Sequence, residues 1–345
     1  MMITLNSDEN GVTKTMMEIV LGIESTAHTF GIGVASLDGE IIQDFSHQYT
    51  PEKGGIHPRE ASEHHSKVID KVLINALNFI QEIDGKIVAI GFSQGPGLGP
   101  CLRVGATVAR AIASYLDVPL FGVHHGIAHI EIGKKLTGSK DPLVVLVSGG
   151  HTMITALEGG RYRVFGETLD ISIGNLIDMF MREAGYPSPA GHICESLAEK
   201  ADKIVELPYV VKGMDLSFSG ILTAAKRYLK EGFPIEVICK SLQEVAFSML
   251  TEVTERALAH TKKKELLIVG GVAANKRLKQ MLEFIAKEHE AVFYASSKWN
   301  RDNGAMIAWT TVLMYKYGSP IEIDKSYVLP LWRIDEVEIP WYLRN

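Results

Sequence analysis

Two stretches of the chain share one order of apolar runs and short polar loops. Each stretch predicts a strand, a small polar loop, a strand, a turn and a further strand. The predicted strands are residues 18–23, 30–37 and 40–49 in the first stretch, and 143–147, 153–157 and 161–165 in the second. The second stretch lies about 120 residues after the first, and a duplication with so long a period predicts two similar α/β lobes that face a cleft.

Helices and further strands are predicted between and after these stretches, from helical spacing of apolar residues and from short buried runs. The predicted helices are 61–80, 103–116, 173–184, 197–205, 234–262 and one that begins near 302, and the further strands are 87–92, 120–123 and 265–269. Residues 94–100 contain Gly-x-Gly, but Pro96 and Pro100 remove backbone donors that a Rossmann loop would use.

Composition adds three constraints. The chain has 345 residues, 46% of them apolar, which suffices for two sizeable cores. Three distant cysteines, at 101, 194 and 239, predict no disulfide framework and fit a reducing, cytoplasmic location. No apolar run reaches membrane-spanning length, and residues 1–16 contain no secretory signal, so we expect residues 1–17 to be a tag or a loose leader.

The net charge of −6 argues against strong unaided binding to nucleic acid. Three small basic clusters are either solvated helix faces or local patches for such a partner. They are Lys226, Arg227 and Lys230; Lys262, Lys263 and Lys264; and Lys276, Arg277 and Lys279.

The histidines of Gly122-Val123-His124-His125-Gly126-Ile127-Ala128-His129 are the first candidates for chemistry. If this stretch is helical, His125 and His129 lie on one face and can bind one metal ion, although such pairs also cap and pack. Asp302 is either the N-cap of the last helix or a third ligand. Two histidines and a carboxylate suit Fe(II) or Zn(II), and there is no His-Glu-x-x-His helix of a zinc protease.

Glycine turns after strands are the second candidates. Ser148-Gly149-Gly150 and Gly270-Gly271 either make tight turns or present backbone N–H groups to phosphates. Asp178 and Glu195 either contact ribose hydroxyls or are solvated helix charges.

Several stretches together resemble one family. They are residues 22–29 (Gly-Ile-Glu-Ser-Thr-Ala-His-Thr), 53–58 (Lys-Gly-Gly-Ile-His-Pro), 93–100, 125–129, 147–152, 166–170 (Gly-Glu-Thr-Leu-Asp), 216–220, 270–275 and 302–308. The repeated units resemble the actin, sugar-kinase and heat-shock ATPase superfamily. The stretches closely resemble the tRNA threonylcarbamoyladenosine transferases, namely TsaD and the catalytic subunit of the archaeal and eukaryotic KEOPS complex. The two quoted motif forms look archaeal.

The resemblance implies an actin-like ATPase (ASKHA) fold, with two duplicated RNase H-like lobes around a nucleotide cleft. It implies a first lobe at 18–140, a second lobe at 141–340 and a tail at 341–345. It implies that His125, His129 and Asp302 hold one divalent metal, iron or zinc. The positions implied to contact ATP, AMP or threonylcarbamoyl-adenylate are Leu146, Val147, Ser148, Gly149, Gly150, Asp178, Gly191, Glu195, Gly270, Gly271 and Asn275.

The implied reaction is transfer of threonylcarbamoyl from its adenylate to N6 of the adenosine 3′ of the anticodon, position 37, in tRNAs that read ANN codons. Magnesium would accompany ATP. The implied partners are tRNA, an atypical kinase or ATPase that is fused C-terminally in some archaea, a small dimerising subunit and a regulatory subunit. Candidates for a general base are Glu24, His28, His65 and His151.

The chain departs from the family pattern twice. Leu146 stands where archaeal relatives often have a metal-contacting tyrosine, and Ala190 stands in the middle of a Pro-Gly-Gly turn. Simple ATP hydrolysis or nucleotide sensing is the alternative function, and the missing zincin helix counts against a metalloprotease. Without kinase motifs, the chain is expected to be a stand-alone subunit or a trimmed fusion.

Overall fold

The computed structural model describes residues 16–51, 55–296 and 298–342. Of the leader predicted at 1–17, residues 1–15 lie outside the described residues. Met17, its last residue, pairs with Gly85 in a sheet. At the other end Trp341, the first residue of the predicted tail, is buried in a cluster with Ile334 and Ile339. The fold therefore includes both ends of the described chain.

The first predicted unit forms three strands of a five-stranded sheet. Its strands are β1 (Met17–Glu24), β2 (Thr29–Ser36), β3 (Ile41–Gln48), β4 (Gly85–Gly95) and β5 (Leu120–His124). They lie in the order β3-β2-β1-β4-β5; β1, β2 and β3 are antiparallel neighbours, and β4 runs parallel to β1 and β5. Three helices follow these strands along the chain: α1 (Pro58–Glu82), α2 (Gly99–Leu116) and α3 (His125–Thr137).

The second predicted unit likewise forms three strands of a matching five-stranded sheet. Its strands are β6 (Leu143–Val147), β7 (Thr152–Glu158), β8 (Arg161–Glu167), β11 (Glu265–Val269) and β12 (Val292–Ala295); β9 (Val211–Lys212) and β10 (Asp215–Leu216) form a separate hairpin. The order is β12-β11-β6-β7-β8, with the same parallel and antiparallel neighbours as in the first sheet. The predicted duplication is thus confirmed.

Six more helices complete the described elements: α4 (Ile173–Glu183), α5 (Gly191–Ala198), α6 (Ser219–Lys230), α7 (Ile235–Thr261), α8 (Lys276–Glu288) and α9 (Gly304–Tyr317). Short 3₁₀ turns occupy Gly271–Ala274, Ile323–Lys325 and Ile334–Glu336. Within the described ranges no helix is long and apolar enough to cross a membrane.

The helix predicted at 197–205 is wrong. The helix there, α5, begins at Gly191 and ends at Ala198. Beyond it, α7 side chains bind the backbone of residues 201–205: Lys240 donates to Ala201 O, and Ser241 Oγ accepts from Val205 N. These tertiary contacts satisfy polar backbone groups that a helix would otherwise have paired internally.

The last helix, α9, packs on the first sheet although it follows the second along the chain. Two glycines allow this close approach, because a Cβ on Gly22 would overlap the backbone nitrogen of Ala308 and one on Gly33 would overlap that of Ala305. Gly22 and Gly33 are paired across β1 and β2. Residues 304–317 therefore pack with the first lobe, across the division that the sequence predicted at residue 140.

Residues 319–342, the C-terminal strap, connect the two lobes. Ile321 N donates to Leu120 O, and Leu329 N donates to Gln94 O, both at 2.8 Å in the first lobe. Ile339 N donates to Gly160 O in the second lobe, also at 2.8 Å. The strap thus runs along both sheets and holds their relative position.

Candidate metal centre and nucleotide cleft

The two sheets bring their catalytic candidates to the carboxyl ends of parallel strands. In α/β folds of this kind, ligands bind where such strand ends meet. β1 ends at Glu24, β5 leads directly into His125, and β6 leads into Ser148. The ring of His151, in the loop after β6, lies 6.4 Å from the ring of His125.

His125 and His129 occupy one face of α3, as their spacing predicts. His125 is the first helical residue, and the two ring centroids lie 4.7 Å apart with the rings nearly perpendicular. Asp302 Oδ1 lies 3.1 Å from His129 Nε2 and 3.4 Å from His125 Nε2. One ligand atom from each of the three residues thus lies within 4.8 Å of the others.

This donor set fits a divalent transition metal. Two imidazole nitrogens and one carboxylate oxygen suit Fe(II) or Zn(II), and three protein ligands leave coordination positions open. Both histidines are buried. Asp302 does not cap α9: that role belongs to Asn303, whose side chain accepts from Met306 N. The carboxylate of Asp302 is therefore available to the histidines.

The charges at this centre shift two pKa values strongly. Burial lowers the pKa of His125, but the carboxylates of Glu24 and Asp302 outweigh burial and raise it to about 10. Burial raises the pKa of Asp302, but the two histidines outweigh it and hold that pKa well below its usual range. The His125 ring between these two carboxylates is therefore positively charged at pH 7 unless a metal replaces its proton.

His124 lies apart from the metal ligands, as its spacing predicts. Its Nδ1 accepts from Ile127 N at 3.3 Å and thereby caps α3. Its Nε2 lies 3.2 Å from Trp332 O, to which it donates. Burial lowers its pKa to about 3, which keeps the ring neutral.

The loop after β6 is folded around Ser148. Ser148 Oγ accepts from Gly150 N at 3.2 Å and from His151 N at 3.0 Å. A Cβ added at Gly149 or Gly150 would meet no atom within 4 Å, so there is room for a ligand beside the loop. Leu146 and Val147 differ from these residues, because both side chains are buried in hydrophobic clusters.

Gly270 lies at the carboxyl end of β11, beside the end of β6. Its φ is +96°, and a Cβ would overlap Val147 O, so both conformation and space require glycine. Gly271 begins a 3₁₀ turn and has open space where a Cβ would be. The two glycine turns that the sequence singled out therefore lie on adjacent strands.

Three other predicted nucleotide contacts also hold local structure. Asp178 Oδ1 accepts from Ala190 N at 2.8 Å, and Glu195 Oε1 accepts from Lys276 N at 2.7 Å. Asn275 caps α8 through Oδ1 and donates to Gln243 Oε1 through Nδ2. Among the described residues, the second oxygen of each carboxylate has no recorded hydrogen bond, whereas both polar atoms of the Asn275 side chain have protein partners.

Ala190 fits its turn without strain. Its φ is −117°, which any L-residue adopts, and its methyl group is buried. Gly191, the first residue of α5, has open space where a Cβ would be. The departure from the family's Pro-Gly-Gly turn thus leaves the backbone of this turn unstrained.

Sequence reasoning missed two supporting residues. Thr26 donates to Glu24 from both its nitrogen and its hydroxyl. Ser172 caps α4 and also donates to Gly149 O, which ties the helix to the glycine loop. A serine before a helix predicts a cap, but its second contact depends on tertiary structure.

Two matching lobes, with glycine turns after adjacent strands of the second sheet, are typical of the actin-like ATPase fold, and solved structures share it. Full-length HypF with bound phosphate and nucleotide has a TM-score of 0.55 at 11% identity, over 86% of this chain and 46% of that one. The activator of 2-hydroxyisocaproyl-CoA dehydratase from Clostridium difficile with bound ADPNP has a TM-score of 0.52 at 10% identity, over 86% and 97%. At these identities the likeness shows the fold alone.

Sequence similarity narrows this class to one family. The family model for tRNA N6-adenosine threonylcarbamoyltransferase (TsaD) matches residues 40–309, and the chain belongs to this family. A protein with that description from Caldivirga maquilingensis is 53% identical over 325 residues, 94% of this chain and 98% of its own. A probable bifunctional tRNA threonylcarbamoyladenosine biosynthesis protein from Methanothermobacter thermautotrophicus is 51% identical over 324 residues, 94% of this chain and 61% of its own. The predicted family is confirmed.

Proposed function

We propose that this protein transfers a threonylcarbamoyl group from threonylcarbamoyl-adenylate to N6 of the adenosine at tRNA position 37. Besides membership of the family, the proposal rests on one structural observation. The cluster of His125, His129 and Asp302 lies beside the glycine loop after β6, in reach of a ligand bound there. An acyl-adenylate needs both a phosphate site and electrophilic assistance at its anhydride, and this juxtaposition offers both.

The second lobe would bind the adenylate. Gly149, Gly150 and Gly271 leave room for its phosphate, and N–H groups at strand–helix turns favour anions. The second carboxylate oxygens of Asp178 and Glu195 are suited to the ribose hydroxyls, and Gly191 lies between these two residues in sequence. Asn275, whose side chain caps α8, would hold the start of that helix beside the adenine.

The first lobe and Asp302 would hold one divalent metal, iron or zinc, through His125, His129 and Asp302. A metal bound there supplies Lewis-acid polarisation of an oxygen of the mixed anhydride. Leu146 lies in an apolar cluster with Ile127, so the open positions fall to water or substrate. Positioning of the tRNA amine against the adenylate would supply much of the rate.

The four candidates for a general base differ in their freedom to act. Both oxygens of Glu24 have protein partners. Burial lowers the pKa of His65 and of His151 to about 4, so both rings are neutral at pH 7. His28 has a buried Nδ1 with no hydrogen-bond partner among the described residues.

The basic clusters support a need for partners in tRNA binding. Each cluster forms ion pairs within the chain: Lys226 with Glu183 at 2.9 Å, Lys263 with Asp141 at 2.6 Å and Arg277 with Glu244 at 2.7 Å. Charges already paired in this way contribute less to phosphate binding. We therefore propose that KEOPS-type subunits, among them an atypical kinase or ATPase, supply part of the tRNA surface in the cytoplasm.

A reconstituted transfer assay tests this function. The assay contains labelled threonine, bicarbonate, ATP with magnesium, an adenylate-forming enzyme, partner subunits and tRNA. Label in tRNA that requires this chain is the expected result. Phosphate release without label would instead favour the ATPase alternative, and peptide cleavage would favour a protease.

A further inference from the structure

Glu24 divides its two carboxylate oxygens between a turn and a metal-ligand candidate. Glu24 ends β1 and is fully buried. Its Oε1 accepts from Thr26 N at 2.6 Å and from Thr26 Oγ1 at 2.5 Å. Its Oε2 lies 3.1 Å from His125 Nδ1. The turn thus uses one oxygen, and the other is directed at the histidine.

A buried carboxylate is costly unless a donor or a cation compensates it. In the described part of the chain, the recorded ion pair of Glu24 is with the His125 ring, and neither lysine nor arginine pairs with it. The contact of Glu24 on β1 with His125 on α3 therefore compensates the buried charge of the carboxylate, which the turn at Thr26 alone does not do.

The two nitrogens of the His125 ring face different groups. Nδ1 lies 3.1 Å from Glu24 Oε2 and 3.4 Å from the Thr26 hydroxyl, which itself donates to Glu24, and Nε2 lies 3.4 Å from Asp302 Oδ1. A neutral imidazole carries one proton, so a histidine that binds metal through Nε2 must carry its proton on Nδ1. A carboxylate that accepts this N–H fixes both the tautomer and the ring orientation.

We propose that Glu24 is the positioning residue that keeps the proton of His125 on Nδ1 and directs Nε2 at the metal. This inference rests on the metal centre of the proposed function. The second histidine lacks such support, because His129 Nδ1 is buried with no hydrogen-bond partner among the described residues. The two ligands are therefore unequal, and Glu24 governs one of them.

The substitution Glu24→Gln tests the tautomer rather than the fold. The two Thr26 donors hold the amide oxygen of the glutamine where Oε1 is now. The amide NH₂ then faces His125 Nδ1 and needs an acceptor there. In its neutral, metal-binding form the ring would then carry its proton on Nε2, so Nε2 would have no lone pair for a metal although nearly every other atom keeps its place.

Glu131→Gln is the matched control. Glu131 is also buried and lies on α3, the helix of both histidines. Its carboxylate accepts from Tyr162 Oη at 3.0 Å and lies 3.6 Å from Lys134 Nζ, so it supports neither metal ligand. This variant removes a buried negative charge near the site without changing the His125 tautomer.

The measurement is the affinity of the full chain for Co²⁺ and Zn²⁺ alone, by competition with a chelator, together with the visible spectrum of the Co²⁺ form. We expect Glu24→Gln to bind about 10- to 100-fold more weakly than the unmodified chain. We expect Glu131→Gln to keep its affinity and spectrum. The proposal would be overturned if Glu24→Gln bound Co²⁺ and Zn²⁺ as tightly as the unmodified chain and gave the same Co²⁺ spectrum.

A second measurement needs no variant. In the Zn²⁺-loaded unmodified protein, ¹H–¹⁵N spectra of the histidine rings should show a proton on Nδ1 of His125 and zinc on Nε2. Zinc on Nδ1 would overturn the proposal even if Glu24→Gln failed to fold, and so would failure of the unmodified chain to bind either metal.

The transfer assay separates this proposal from the proposed function. If the unmodified protein binds Co²⁺ but transfers no label, the function fails and the role of Glu24 is still decided by its variant. If the protein transfers label and Glu24→Gln binds metal normally, only the role of Glu24 fails.

Discussion

At the scale of single residues, the centre is defined by what the side chains already bind. His125 lies between two carboxylates, His129 contacts Asp302, and His124 caps α3 and donates to a backbone carbonyl. Three histidines within six positions thus have three different environments. The i, i+4 spacing predicted which two share a face, but not which carboxylates they meet, because Glu24 and Asp302 come from distant parts of the chain.

His129→Ala should abolish tight metal binding and lower transfer at least about 100-fold, because a lost ligand removes electrophilic assistance worth several kcal/mol. The measurements are metal content after gel filtration and label in tRNA. The control is His124→Asn, which keeps an acceptor for Ile127 N and should retain its metal. Full transfer by metal-free His129→Ala protein would contradict the proposed centre.

His65 should make the protein less stable in mild acid. The ring is fully buried on α1, and burial lowers its pKa to about 4, against about 6.5 in an unfolded chain. Below pH 6.5 the unfolded chain takes up this proton while the folded chain does not. The free energy of unfolding therefore decreases as the pH is lowered from about 6.5, until the folded ring also takes up a proton near pH 4.

Urea unfolding at several pH values checks this effect. Between pH 6.5 and 5, the free energy of unfolding of His65→Gln should fall by about 2 kcal/mol less than that of the unmodified protein. Parallel curves for the two proteins would show that His65 does not account for the loss.

At the scale of elements, the hydrophobic pattern predicted most strands and helices because each unit pairs locally. The strands of both units pair with neighbours in the chain, and α7 and α8 follow their apolar spacing. The pattern failed at 197–205, where α7 binds the backbone of residues that are not helical. It also could not predict that α9 packs on the first sheet, since spacing shows that a helix has a buried face but not what covers it.

The contact between α9 and the first sheet should tolerate no side chain at Gly33. A Cβ there would overlap backbone atoms of Gly304 and Ala305, which cannot move aside as a side-chain end can. We expect Gly33→Ala to lose at least about 3 kcal/mol of unfolding free energy. Gly220→Ala on α6, where the nearest atom would lie 3.8 Å away, should change stability by less than about 1 kcal/mol in the same denaturation experiment.

At the scale of the whole molecule, the candidate metal centre exists only when distant parts of the chain meet. His129 and Asp302 are 173 residues apart in sequence, with the whole second sheet between them. The family resemblance named these ligands, whereas residue spacing alone left Asp302 open between a cap and a ligand. The structure decides against the cap, because Asn303 fills it.

Fragments of the chain should therefore differ in their ability to fold. Residues 125–296 contain the complete second sheet with α4 to α8, and they include α3, whose Ile127 and Ile130 pack on the other face of that sheet. For this fragment we expect cooperative thermal unfolding by circular dichroism. Residues 16–140 lack α9, and without it Val20, Ala35 and Phe121 lose the apolar partners Ala308 and Val312. This fragment should fold only when residues 298–342 are added as a separate peptide, and independent folding would contradict the prediction.

The position of α9 has a consequence for biosynthesis. A ribosome makes β1 to β5 first, together with α1 and α2, but α9, which covers the other face of their sheet, emerges only after the second sheet is complete. The usual N-to-C order of domain folding is then reversed, since the later half can become compact while the earlier half still waits. During translation, the nascent first sheet therefore exposes the apolar face that α9 covers for longer than any other part of the protein. Chaperones would find their binding site there.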